Sequence, residues 1–245
     1  MTRDAWNAFE RLRDRFRADC ARWNSALPGL RDLQDQLRAR LGYDDYEIET
    51  PVVYNRDLDA LGPGDRVAWI LVADNPGKKE QLEANRRYLV GQAGKLAARF
   101  FREELALEFR REVLVINKTP IHTPKTAELR KLLALDGDGS LRAIFEESQE
   151  SMARLALDLA RTLDAPIWIS GLGELSPRGV FSAWSRAFGA GLEAEPGLAR
   201  RTFVFRHFSM NQFAVQLKGE RKPGEALGAA LERIGAAGRL RAFGA

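Results

Sequence analysis

Four short apolar runs divide the chain, and each of them ends abruptly at polar or small residues. They cover residues 67–73, 113–116, 167–169 and 202–205. Each run is too short for an independently stable helix, and the runs are rich in β-branched and aromatic residues, which is typical of buried parallel strands. The pattern therefore predicts four strands.

Longer segments between these runs repeat apolar residues at steps of three and four, the spacing of one helix face. In the first such segment, residues 4–24, the repeating positions are Trp6, Phe9, Leu12, Phe16, Cys20 and Trp23. Further helices are predicted at residues 28–41, 93–109, 126–135, 141–163 and 180–188, and in most of the chain after residue 207. Residues 43–65 contain several Pro and Gly and are predicted to be irregular.

Strands that alternate with helices form right-handed crossovers and so build a parallel sheet with helices on both faces. We therefore predict an α/β fold of three αβα layers around a central, mostly parallel sheet of four strands. Residues 1–245 are expected to form one domain, on which residues 1–45 pack as an N-terminal helical extension.

Polar or small residues follow every predicted strand. Asp74 and Asn75 follow the first, Asn117 the second, Gly171 the third and His207 the fourth. Ligands of open α/β sheets bind beyond the carboxyl ends of the strands. These five residues are therefore expected to gather at one edge of the sheet.

The composition is that of an ordinary globular protein, 45% hydrophobic and 29% charged over 245 residues. No apolar run reaches the roughly 18 residues of a membrane span, and the N-terminal segment lacks the apolar core of a signal peptide. A cytoplasmic protein with no membrane partner is expected.

One cysteine, Cys20, and two histidines are too few for a disulfide framework, an iron–sulfur cluster or a zinc cage of soft ligands. We expect no metal and no cofactor, although a carboxylate site for a hard cation stays open. The net charge is +4, and residues 200–245 hold nine Lys or Arg against three Glu. This asymmetry suits a phosphate-bearing partner, with a solvated basic face as the alternative.

Five segments resemble, in order and spacing, motifs of the uracil-DNA glycosylase superfamily. They are ADNPG (73–77), RRYLVGQAGK (86–95), VINKTP (115–120), ISGLG (169–173) and RHFSMNQF (206–213). The resemblance covers residues 66–217 and leaves the N-terminal helices outside. It implies a protein that extracts a base from DNA and hydrolyses its N-glycosidic bond.

The resemblance places the catalytic groups at Asp74, Asn75 and His207. A carboxylate stabilises an oxocarbenium-like sugar, and a carboxamide positions the attacking water. Asp74 is the stronger base, but it is equally suited to cap a following helix. His207 is expected to donate a hydrogen bond to the departing base, and it need not be protonated.

By the same resemblance, the base-binding positions are Gly77, Tyr88, Leu89 and Asn117. Asn117 matches the asparagine that reads uracil, since a carboxamide offers both a donor and an acceptor. Leu89 stands where the superfamily usually has a stacking Phe, with Tyr88 beside it. Phe208 replaces the Pro that normally follows the histidine. These departures affect the expected uracil preference more than the expected fold.

Several residues are candidates for DNA contact. Met210, Phe208 and Phe213 are candidates for the apolar side chain that replaces a flipped base, with core packing expected for at least one of them. The candidate phosphate and DNA contacts are Lys78, Lys79, Arg206, Ser209 and Lys218.

The leading hypothesis is a monomeric DNA glycosylase that removes uracil or another deaminated or damaged base in base excision repair. The alternative is a catalytically silent relative that binds nucleic acid or a nucleotide in the same pocket. A third possibility is a likeness in fold alone, with the pocket serving an unrelated small molecule.

Overall fold

A computed structural model describes residues 1–244 and contains one four-stranded sheet. The strands are β1 (Trp69–Ala73), β2 (Val113–Asn117), β3 (Ile167–Ser170) and β4 (Thr202–Phe205). All of them run parallel in the order β2-β1-β3-β4, and helices flank the sheet. The predicted three-layer αβα fold is confirmed, with a sheet that is entirely parallel.

Helices occupy most of the remaining chain. In order they are α1 (Arg3–Ala26), α2 (Leu30–Arg40), α3 (Gln92–Leu105), α4 (Phe109–Glu112), α5 (Leu129–Leu133), α6 (Ser140–Leu163), α7 (Ser182–Ala194), α8 (Pro196–Ala199), α9 (Gln212–Glu220) and α10 (Leu227–Phe243). Within residues 1–244, no helix combines the length and the apolar character needed to cross a membrane.

Two segments differ from the sequence prediction. The predicted helix at 126–135 is a 3-10 turn, Thr126–Glu128, followed by the short helix α5. No helix directly follows β1, because residues 74–91 form turns and α3 begins only at Gln92. Asp74 therefore does not cap a helix.

The N-terminal helix α1 packs against α6. Its apolar face buries Phe9, Phe16 and Trp23 in the same hydrophobic core as the sheet. The Trp23 indole also donates a hydrogen bond to Glu147 of α6, 3.2 Å away. The face predicted from the three–four spacing is thus the face that is buried.

The irregular stretch after α2 lies against the chain that leaves β2. Val52 pairs with Ile121 in an isolated antiparallel bridge, and the Val53 amide donates to the Pro120 carbonyl at 2.9 Å. The buried Gln34 amide of α2 donates to the Pro51 carbonyl at 3.1 Å. The N-terminal region is therefore tied to the carboxyl edge of the sheet.

An aromatic cluster surrounds Trp168 in the middle of β3. The rings of Phe205 and Phe101 lie 4.1 and 5.3 Å from it, and those of Phe208 and Phe213 lie 5.9 and 5.1 Å from it. Phe208 and Phe213 are buried, so both take the core-packing role. They anchor the loop after β4 that carries His207.

Candidate functional site

A cavity of about 740 Å³ opens at the carboxyl edge of the sheet. Residues that follow β1, β3 and β4 form its floor, and the loop 123–127 closes one side. Ten of the residues predicted from sequence line it: Asp74, Asn75, Gly77, Lys78, Lys79, Leu89, Arg206, His207, Ser209 and Met210.

A buried ion pair holds Asp74 in place. The Lys118 ammonium, which is 0% exposed, donates to Asp74 Oδ1 at 2.5 Å and to the Ser170 carbonyl at 2.6 Å. Asp74 Oδ2 accepts a hydrogen bond from the Thr126 hydroxyl at 3.2 Å. Both carboxylate oxygens thus have protein donors, and the carboxylate is fixed at the cavity floor.

Strand register explains this pair. Ala73 of β1 lies opposite Asn117 of β2, so the next residues, Asp74 and Lys118, leave neighbouring strands side by side. The Lys118 amide extends the pairing by donating to the carbonyls of Ala73 and Asp74, at 2.9 and 3.0 Å. Because the ammonium is removed from water, its carboxylate partner is what makes its burial tolerable.

Gly171 leaves room for the Asp74 carboxylate. Its φ is +96°, a region that residues with a Cβ rarely adopt, and an added Cβ would lie 2.6 Å from Asp74 Oδ1. The glycine that ends β3 is therefore needed both for its backbone conformation and for the space beside Asp74.

Asn75 is oriented by Thr123. Its side-chain amide donates to Thr123 Oγ1 at 2.9 Å and to the Thr123 carbonyl at 3.2 Å. No described residue donates a hydrogen bond to Asn75 Oδ1. This oxygen lies on a cavity-lining residue and has lone pairs for a water molecule.

His207 presents a defined tautomer to the cavity. Its Nδ1 accepts the Ser209 amide N–H at 3.0 Å, and the Ser209 hydroxyl lies 2.8 Å from the same nitrogen. The proton of the neutral ring is therefore assigned to Nε2. Burial lowers the pKa of His207 below its usual value, Asp74 opposes that shift, and the Lys118 cation adds to it. A neutral ring with an Nε2–H donor results.

A conformationally unusual segment carries Leu89 on the cavity wall. Arg86 and Leu89 have φ values of 39° and 51°, and an added Cβ on Gly94 would overlap the Leu89 carbonyl. The Arg110 guanidinium donates to the carbonyls of Tyr88 and Leu89, at 2.8 and 2.6 Å. Leu89 is held as an apolar wall of the cavity.

Glu80 is a buried carboxyl beside this wall. Its Oε2 accepts the Gly77 amide N–H at 2.9 Å, so it braces the turn after β1. Burial raises the pKa of Glu80 to about 7, although hydrogen bonds from the backbone N–H groups of Gly77, Val90 and Leu89 oppose the shift. The carboxyl therefore titrates near neutral pH.

Three predicted site residues lie elsewhere. Tyr88 is fully buried, and its hydroxyl donates to the Val53 carbonyl at 2.5 Å, so it does not form a wall of the cavity. Asn117 is buried outside the cavity lining, with neither side-chain atom hydrogen-bonded to a described residue. Lys218 is exposed on α9 and does not line the cavity.

The rim of the cavity carries basic groups and one exposed apolar side chain. Lys78 forms an ion pair with Asp45 at 2.7 Å, whereas Lys79 and Arg206 have no ion-pair partner among residues 1–244. Met210 is 80% exposed with φ of 50° and stands in the turn after His207. This rim combines basic side chains with an apolar side chain that is free of core packing.

Lys118 and Glu80 are the functional candidates that motif matching missed. The sequence did contain a signal for the pair of Lys118 and Asp74. Asp74 is the first residue after β1, and Lys118, which has the opposite charge, is the first residue after the neighbouring strand β2. Reading it required the register between β1 and β2, which the sequence does not give. Glu80 lies in a turn whose burial depends on the packing of residues 86–90.

Compared with models of protein families, with curated proteins and with solved structures, the chain matches none. The likeness to the uracil-DNA glycosylase superfamily therefore stays a prediction from the five sequence motifs.

Proposed function

We propose that the chain is a DNA glycosylase that hydrolyses the N-glycosidic bond of uracil, or of another deaminated or damaged base, after flipping the nucleotide into the cavity. The observation that carries the proposal is that Asp74, Asn75 and His207 line one cavity at the carboxyl edge of the sheet. These residues are up to 133 positions apart (207 − 74), and only the fold brings them together.

The arrangement supplies the charges that bond cleavage requires. As the bond to the base breaks, its electron pair leaves with the base and the sugar becomes oxocarbenium-like. The fixed carboxylate of Asp74 stabilises that positive charge, and Asn75 Oδ1 holds the water that attacks the sugar carbon. The proton lost by the water passes to Asp74, whose oxygens retain lone pairs beside their two donors.

His207 acts on the departing base. Its Nε2–H donates to the base oxygen on which negative charge develops, and this interaction grows stronger in the transition state. A lowered pKa keeps the ring neutral near pH 7. A neutral donor stabilises the anion without first transferring a proton to it.

Met210 suits the space left by the flipped base. Its flexible, apolar side chain is exposed in a turn directly after His207, whereas Phe208 and Phe213 are committed to the core. An inserted apolar side chain holds a base out of the stack. Lys79 and Arg206 line the same cavity, and in this proposal they contact the flanking phosphates.

The direct test is base release. The protein is incubated with uracil-, hypoxanthine- and xanthine-containing oligonucleotides, single- and double-stranded, and alkali then cleaves any abasic site. We expect strand cleavage for at least one base. An intact strand in every reaction contradicts the proposal.

Variants separate the proposed roles. Loss of one preorganised donor typically reduces turnover by about 10²–10³-fold, so His207→Ala is expected to lower the rate of base release by that factor. Met210→Ala is expected to affect duplex substrates more than single strands, because only the duplex must be opened. Equal losses on both substrates contradict the role given to Met210.

A second candidate function is nucleic-acid or nucleotide binding without catalysis. The observation that favours it is the burial of Asn117 outside the cavity, which leaves the predicted reader of uracil away from the ligand. This function predicts salt-sensitive DNA binding without base release, and binding that is unchanged in the Asn75→Ala variant.

A further inference from the structure

His122, which matches no motif of the superfamily, is buried against the turn after β1. Its Nδ1 lies 2.9 Å from the Pro76 carbonyl oxygen, and its Nε2 lies 3.4 Å from the Tyr46 hydroxyl. The two rings meet edge to face with centroids 5.8 Å apart. His122 therefore lies between the Asn75-Pro76-Gly77 turn and the irregular residues 43–65 after α2, called the N-terminal stretch below.

The two contacts fix the protonation of the ring. A carbonyl oxygen only accepts, so Nδ1 must carry the proton, and Nε2 then accepts from the Tyr46 hydroxyl. Burial lowers the pKa of His122 to about 4, and the hydrogen bond to Pro76 opposes that shift. The ring remains neutral at working pH and keeps the Nδ1–H that the turn needs.

The segment around His122 also holds Asn75. The Thr123 amide donates to the same Pro76 carbonyl at 3.3 Å, and Thr123 accepts the side-chain amide of Asn75. In turn, the His122 amide donates to the Pro51 carbonyl at 3.0 Å. A displacement of His122 would therefore shift both the backbone of the turn at Pro76 and, through Thr123, the side chain of Asn75.

A second buried side chain connects the same two regions. Gln81, fully buried, accepts the backbone N–H groups of Glu49 and Thr50, at 2.6 and 3.1 Å, and donates to the Glu47 carbonyl at 2.7 Å. The N-terminal stretch thus touches the turn region through side chains that lie outside the glycosylase-like motifs.

We infer that His122, held by its hydrogen bond with Tyr46, is a positioning residue for the Asn75-Pro76-Gly77 turn. The N-terminal stretch then contributes to the geometry of the catalytic site. The inference rests on the proposed function for its activity readout, but its geometry is testable without it. Neither residue lines the cavity, so their effect is exerted through Pro76 and Thr123.

The kinetic experiment compares His122→Leu with His122→Asn. The carboxamide of Asn places an N–H donor near the position of Nδ1, whereas Leu removes the donor. A misplaced catalytic group costs up to about 10²-fold, so His122→Leu is expected to lower kcat by about 10–100-fold with little change in KM. His122→Asn is expected to recover most of the loss, and Tyr46→Phe to give a smaller fall in kcat.

The inference is contradicted if His122→Leu keeps the wild-type kcat. It is also contradicted if His122→Asn has a normal melting temperature but does not recover kcat. If His122→Leu does not fold, the kcat values of His122→Asn and Tyr46→Phe are compared with the wild type instead. We then expect His122→Asn to keep most of the wild-type kcat and Tyr46→Phe to show a small fall, and a different result contradicts the inference. A wild-type protein that releases no base contradicts the proposed function instead.

Two readouts are independent of activity. The chain has only two histidines, so a ¹⁵N histidine spectrum resolves both rings. We expect opposite tautomers, with the proton on Nδ1 in His122 and on Nε2 in His207; an Nε2 proton on His122 contradicts the inference. Amide hydrogen exchange at Gly77, which donates to Glu80, is expected to accelerate in His122→Leu but not in His122→Asn. Unchanged exchange in both variants also contradicts it.

Discussion

The buried pair of Lys118 and Asp74 shows how one residue can decide the chemistry of this site. Alone, Asp74 would be a carboxylate with its negative charge partly removed from water, which is unfavourable. The ammonium of Lys118 keeps the carboxylate compatible with burial and fixes its orientation. In the proposed reaction it also partly balances the charge with which Asp74 would stabilise a cationic sugar, so Lys118 supports the geometry of the site at some electrostatic cost.

Replacement of Lys118 by Met should be strongly destabilising. It leaves Asp74 buried without its cation and the Ser170 carbonyl without its donor, and breaking a buried pair costs about 3–5 kcal/mol. Urea unfolding should show this loss in the free energy of unfolding. The matched control is Lys218→Met on the exposed face of α9, expected to change stability by less than about 0.5 kcal/mol. Equal effects would show that the pair contributes nothing.

At the scale of elements, the ends of the strands carry the site. The sequence placed the carboxyl ends of β1–β4 to within about one residue, because each apolar run stops at a residue that is polar or flexible. It could not place the chain between β1 and α3. Of the two roles that the sequence left open for Asp74, the helix cap is absent, and the carboxylate instead forms an ion pair with Lys118. Turns stabilised by distant side chains, such as Arg110 at Leu89, have no local periodicity to reveal them.

Gly171 gives a prediction at this scale, with Gly173 as its control. In Gly171→Ala the new Cβ meets the Asp74 carboxylate and the positive φ is strained, at about 1–3 kcal/mol for the backbone alone. Gly173 has open space around its Cβ position and no positive φ. Chemical denaturation should show a loss of at least about 1 kcal/mol for Gly171→Ala and little change for Gly173→Ala. Equal stabilities would contradict the packing described for Asp74.

At the scale of the whole molecule, two buried titratable groups act on stability in opposite directions. The folded pKa of Glu80 is raised to about 7, so this group favours the folded state below its ordinary value near 4.5 and loses that contribution as pH rises through about 7. The pKa of His122 is lowered to about 4, so its contribution is present above about 6.5 and lost as pH falls towards 4.

The contribution of Glu80 is isolated by comparing the free energy of unfolding of the wild type with that of Glu80→Gln, because His122 is present in both proteins. Gln does not titrate, and its carboxamide offers one acceptor oxygen and one donor group, as the protonated Glu80 carboxyl does. The stability of the wild type relative to this variant should fall by about 2 kcal/mol between about pH 5 and about pH 7.5. Denaturant titrations at several pH values measure it, and a constant difference across this range contradicts a raised pKa for Glu80.

Overall charge gives a prediction for the proposed DNA partner. Removing a lysine or arginine that neutralises a phosphate reduces the slope of log affinity against log salt by about 1. Lys79→Met and Arg206→Met, at the cavity rim, should each show this reduction in fluorescence anisotropy with labelled DNA. Lys131→Met, which is exposed on α5 and outside the cavity lining, is the charge-matched control and should keep the wild-type slope. A reduction of the same size in the control would indicate diffuse attraction rather than a site.

The sequence by itself determined the αβα class, the four strands and the edge where Asp74, Asn75 and His207 meet, because the period of apolar residues and the ends of apolar runs are local properties of the chain. Only the tertiary structure decided that Lys118 pairs with Asp74, that Asn117 and Tyr88 are buried outside the cavity, and that His122 joins the N-terminal stretch to the turn. Those outcomes depend on strand register and on the burial of polar groups between segments distant in sequence. The packing of the whole chain fixes both.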